Sequence, residues 1–136
     1  MTQPSHINID FGAASEQVAR LFDPEIYTLK IKNASARRSH NGNFFVVFHL
    51  IELKTGGRVS LHPLWVDGPN ADAGLLAAEN RHVIAQILSG AGLPTSGNAV
   101  ELIPKLAGHE FVARLVLAPD SRTGRTFNSV AEVMRA

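Results

Sequence analysis

The sequence predicts an all-β domain with one helix, on three observations. Apolar and polar residues alternate with period two in several segments, one later segment carries the period of an amphipathic helix, and the connections between them are short and rich in Gly, Asn and Pro. A chain of 136 residues, 45% hydrophobic and 18% charged, has material for one core and is far from the composition of disorder.

Residues 1–24 read as an N-terminal arm, in which Ser15, Glu16 and Gln17 begin a helical turn that Asp23-Pro24 must end. Residues 25–136 then form a single domain. From Ile26, the residues Tyr27, Leu29 and Ile31 alternate with Thr28, Lys30 and Lys32, the period of a half-buried strand running to about Arg38. Asn41-Gly42 suits a tight antiparallel connection, because glycine tolerates positive φ. The run NFFVVFHLIEL follows, rich in β-branched and aromatic residues, as a long second strand expected to be covered on both faces. Thr55-Gly56-Gly57 turns the chain into a third strand at 58–64, with Val59 and Leu61 alternating with Arg58, Ser60 and His62.

LWVDGPNADAG has the composition of an ordered loop. In the next segment Leu76, Val83, Ile84, Ile87 and Leu88 share one helical stripe opposite Glu79, Arg81 and Gln86, and Gly90, Gly92 and Pro94 supply a stop. Residues 100–106 are irregular or one helical turn. Phe111, Ala113, Leu115 and Leu117 mark a fourth strand, residues 119–124 a turn, and residues 125–133 a fifth strand. The order β-β-β-α-β-β is that of a five-stranded OB-fold barrel, whose helix plugs one end. An open α+β sheet with one covering helix satisfies the same string.

Several segments strengthen the barrel reading: INIDF, LFDPEIYTLKI, LWVDGPNADAG, IAQILSGAGL, LAGHEFVARLVLAPD and TGRTFNSV. In these the chain resembles a family of small phage and mobile-element proteins that look like single-stranded-DNA-binding OB-fold proteins of replication and recombination modules. The resemblance covers most of the chain, departs from it at residues 13–20, and rests on scaffold motifs. It implies coating of single-stranded DNA with little sequence preference, with a recombinase or replication protein as partner and a homodimer as a compatible assembly.

Single-strand binding needs cations along the phosphates and flat side chains under the bases. OB-folds bind across the second and third strands, between the loop after the first strand and the loop after the fourth. Arg37 with Arg38 and Arg122 with Arg125 fall at those two loops, four of the 13 Lys and Arg residues. Lys30, Lys32, Arg58, His62 and Arg114 fall on the polar sides of their strands and would form a basic stripe if those sides coincide. Exposed turns and solvated faces carry such charges without any partner as well. Tyr27, Phe44, Phe48 and Phe111 share the parity of the apolar faces and belong in the core. Phe45 has the parity of His49, opposite to Phe44 and Phe48, and is the expected stacking platform; Phe127, beside Arg125, is a second. Trp65 is expected to pack under its own Gly/Pro loop, with stacking on a base as the lesser alternative.

The six His residues show no metal-ligand spacing, and no nucleophile elbow, phosphate loop or dinucleotide fingerprint occurs, so no metal, cofactor or enzymatic activity is expected. The absence of Cys removes disulfides and thiol chemistry and fits a reducing compartment. With no leader-like start and no long apolar run, the expected location is cytoplasmic, without a membrane partner. A formal net charge of +1 leaves electrostatic binding to local clustering. The rival functions are an OB-fold protein-interaction module and an enzyme whose site is assembled from distant loop Asp and His residues.

Overall fold

A computed structural model describes residues 19–68, 74–120 and 123–134, and of residues 74–76 the backbone alone. Most of the arm, including the helical turn expected at Ser15 to Gln17, lies outside the described residues, as does Arg122. The described strands are β1 (Ala19–Arg20), β2 (Ile26–Arg38), β3 (Phe44–Glu52), β4 (Arg58–Val59), β5 (Leu64–Asp67), β6 (Glu110–Pro119) and β7 (Thr126–Met134). Helix α1 (Gly74–Gly90) lies between β5 and β6, followed by a single turn α2 (Ala99–Leu102) that tightens into a 3-10 turn (Ile103–Leu106).

One sheet contains all seven strands in the order β1-β4-β3-β2-β6-β7, with β5 also paired to β3. The 13-residue β2 is its spine, antiparallel to β3 on one edge and to β6 on the other. The register with β3 slips between Ile31 and Asn33, leaving Lys32 as an extra residue, and such a bulge bends and twists the strand. The sheet curls until Leu61, between β4 and β5, bridges Asn128 of β7 in parallel. Asn128 N–H donates to the Ser60 carbonyl at 2.7 Å, and His62 N–H to the Asn128 carbonyl at 3.2 Å. The fold is mostly β, a curled half-barrel with short helices.

The concave side holds the core. Leu29 and Ile31 of β2, Val46, Phe48 and Leu50 of β3, and Ala113 and Leu115 of β6 meet Val83, Ile84, Ile87 and Leu88 of α1, with Ile103 and Leu106 beneath. Burying one such aliphatic side chain contributes about 1.5–3 kcal/mol, so this group of residues is the main source of stability. The helix ends where the glycines and Pro94 predict. Gly92 takes φ +74°, and Leu93 N–H reaches back to the Leu88 carbonyl at 2.9 Å, satisfying an end carbonyl.

The third expected strand is two pieces. Pro63 has no N–H and restricts the residue before it, so the ladder lapses at 60–63 and resumes as β5. Leu64-Trp65-Val66-Asp67, expected as loop because Gly68 and Pro69 follow, alternates buried Leu64 and Val66 with the less buried Trp65 and Asp67. Residues 19–24 also join the fold, since β1 pairs in parallel with β4 and Phe22 enters the core. Asn128 explains why. Its fully buried amide accepts from Phe22 N–H at 2.8 Å and donates to the Phe22 carbonyl at 2.9 Å and the Val116 carbonyl at 3.3 Å.

Candidate functional site

Alternation along β3 decides which side chains leave the core. Val46, Phe48 and Leu50 are buried, and Phe45, Val47, His49 and Ile51 stand half-buried on the convex face. The expectation that β3 is covered on both faces holds only for the inner one. Antiparallel register then lines up rows across the convex face: Arg37 opposite Phe45 and Phe45 opposite Trp65, Ser35 opposite Val47, Asn33 opposite His49, and Lys30 opposite Ile51, which in turn opposes Arg58. These rows collect residues from four strands into one surface.

The aromatic pair sits at one end. The rings of Phe45 and Trp65 lie 5.4 Å apart at 40°, so Trp65 packs on β3; residues 69–73 of the Gly/Pro loop under which it was expected lie outside the described residues. Helix α1 holds β5 at its other edge, with Asn80 Nδ2 donating to the Trp65 carbonyl at 2.9 Å and Arg81 Nη1 to the Val66 carbonyl at 2.6 Å. The turn beside it needs two glycines. Gly42 takes φ +83° to close the β2–β3 connection, and Gly68, at φ +117°, lets β5 approach so closely that a Cβ there would lie 2.6 Å from Asn43 Cα.

Cations surround the remaining rows. Lys30, Lys32, Arg37 and Arg38 are exposed, and none of the four lies within ion-pair distance of a carboxylate among the described residues. Arg37 Nε donates to Ser35 Oγ at 3.2 Å, which keeps it along the face. Arg38 leaves that face, with its guanidinium 5.7 Å over the Phe44 ring at the rim of the core. Burial first, and then the charges of Arg58, Arg37 and Lys32, hold the His49 imidazole below its ordinary range.

The second expected loop forms its own cluster. His62 Nε2 stands 3.7 Å from Asp120 Oδ2, its ring meets Phe127 edge-on at 5.3 Å, and Arg125 covers Phe127 at 5.5 Å. Both clusters are reached from one stretch of chain, because His62 and Trp65 are three residues apart between Val59 and Asp67. Arg114 is not brought into either. It opposes Ile26 at the far end of β2 and pairs with Glu132 of β7 at 3.7 Å.

The sequence offers Trp65 for base stacking only as the lesser alternative to packing, and does not single out His49. The signal for His49 is its parity with Phe45, whereas Leu64, Trp65 and Val66 are all apolar, so alternation could not assign the face of Trp65. Elsewhere, a groove of about 720 Å³ runs between α1 and the ends of β2, β6 and β7, and includes His109, whose Nδ1 is buried without a hydrogen-bond partner. Among the described residues no cluster of three metal-ligating side chains occurs, and no helix is long and apolar enough to cross a membrane. No protein-family model matches this chain, and no curated protein matches it.

Proposed function

We propose that the half-barrel is an OB-fold that binds single-stranded DNA across the convex face of β3 and the 58–67 segment, with little sequence preference. The fold reading is supported by the central β2 flanked by β3 and β6, the helix between β5 and β6, and the parallel bridge of Leu61 to Asn128. The functional reading is carried by one observation: an aromatic pair, Phe45 and Trp65, lies on the same face as Lys30, Lys32 and Arg37, which have no carboxylate partner among the described residues. Aromatic rings accept any base because every base has a π-face, and cations that touch phosphates carry no sequence information. Phe127 under Arg125 is a second ring-and-cation unit at the far end of the path, with Arg122 beside it in sequence. A setting in replication or recombination of a phage or mobile element, and hence in the cytoplasm, follows from the segment resemblance.

The test is a titration of labelled oligo-dT and of duplex DNA at two salt concentrations. Single strands bind more tightly than duplex, which hides its base faces, and log affinity falls with log salt by about 0.7 per phosphate neutralised. The double variant Lys32→Ala/Arg37→Ala flattens that slope by about 0.7 for each phosphate it leaves without a cation, and weakens binding equally for every base composition. Equal affinity for duplex and single strand reduces the surface to a generic polyanion site.

A further inference from the structure

His49 occupies the middle of this face. It opposes Asn33 of β2, sits between Val47 and Ile51 of its own strand, and has the Lys32 bulge beside its partner position. Arg37 lies on the same face toward the aromatic end, and Arg58 of β4 opposes Ile51 toward the other. The acidic groups of the neighbouring strands are turned elsewhere or lie at the margins. Glu52 is buried on the inner side, where its carboxylate accepts from the Lys54 and Thr55 N–H groups. Asp67 opposes Phe44 at the strand end, its Oδ1 accepting from Gly68 N–H, and Glu110 opposes Lys30 on β6.

We infer that His49 contacts a phosphate of the bound strand in its protonated form, so that single-strand binding takes up a proton and strengthens as pH falls. The inference rests on the single-strand reading above and adds a regulation to it. In the unliganded face burial first, and then the neighbouring charges of Arg58, Arg37 and Lys32, favour the neutral form of the ring. A phosphate seated among Lys32, Arg37 and Arg58 inverts the local sign. By linkage, whatever raises the proton affinity of His49 on binding is matched by tighter binding at lower pH. A rise of one pKa unit corresponds to at most roughly a tenfold gain in affinity. The unliganded protein behaves oppositely. Stability contributed by the neutral ring is present above its unfolded value and is lost as pH falls through that range.

The experiment measures oligo-dT affinity between pH 8 and pH 5.5 at constant ionic strength, for the wild-type chain and for His49→Gln; thymine does not titrate in this range. In parallel, the His49 ring is titrated by NMR with and without oligo-dT. The expected result is a roughly three- to tenfold gain on acidification in the wild type, an upward shift of the His49 titration on binding, and a nearly flat profile in His49→Gln. Tight binding with the same pH dependence in both proteins, or a His49 titration unmoved by oligo-dT, overturns the inference and leaves the single-strand reading standing. Absence of oligo-dT binding at every pH overturns the single-strand reading itself. The NMR titration uses the wild type alone, so a His49→Gln variant that fails to fold does not remove the test.

Discussion

Two polar regions of the half-barrel use their polar groups in opposite ways. At the seam, Asn128 is fully buried and its amide is consumed by Phe22 and Val116, so it ties the entering chain to β6 and β7. On the convex face, Lys30, Lys32 and Arg37 are exposed, share one sign of charge and have no carboxylate within ion-pair distance among the described residues, Glu110 opposite Lys30 included. A buried polar group must be satisfied within the fold or it costs stability. An exposed cation is satisfied by water and keeps its charge for a ligand. Satisfaction within the fold marks structure, and like charges gathered around an aromatic pair mark a surface suited to a polyanion.

The sharpest way to break that division is Asn128→Ala. Two groups of Phe22 lose their partner inside the protein, so stability falls by about 2–4 kcal/mol, read as a lowered denaturant midpoint, while oligo-dT affinity well below the transition is unchanged. A loss of binding without a loss of stability would make the seam part of the site. Next in size is Trp65→Ala, which removes one ring of the pair and costs about 1–3 kcal/mol of single-strand affinity. Phe45→Ala costs a similar amount, and the double variant less than the sum because the rings touch. A large drop in melting temperature with intact binding would return both rings to a purely structural role.

The smallest effect is expected at Arg114. Its pair with Glu132 is exposed on both sides, and such pairs contribute about 0–1 kcal/mol. Arg114→Ala therefore leaves oligo-dT affinity and its salt slope at wild-type values and shifts stability little. A flattened salt slope in this variant would extend the candidate face across β6 and dissolve the contrast between paired and unpaired arginines.

Much of the architecture was legible because it is local. The alternation from Ile26 to Arg38 marks β2, and the β6–β7 hairpin follows from its alternation and turn residues. Phe45 was legible as an outward residue for the same reason, since period two along a strand assigns faces without knowledge of the partner strands. Arg37 and Arg38 were not separable, because the bulge at Lys32 reverses the phase of the alternation along β2, and only the register with β3 shows that Arg37 shares the face of Phe45 while Arg38 lies over Phe44. Arg114 had the same polar-side parity as Lys30, and its different fate depends on Glu132, 18 positions away in sequence but directly opposite in register.

The sequence by itself determined the local terms: the mostly β class, the faces of the long strands, the amphipathic helix with its glycine stop, and the absence of cysteine chemistry. Tertiary structure decided what depends on contacts between distant segments. The curl that brings Leu61 to Asn128, the admission of Phe22 to the core, and the edge of β5 held by Asn80 and Arg81 are of this kind. So is the meeting of Phe45 with Trp65 and of His49 with three cations from two other strands. The physical reason is that backbone propensity and side-chain period act over a few residues, whereas burial, pairing and charge act through space, where only the closed chain sets the distances.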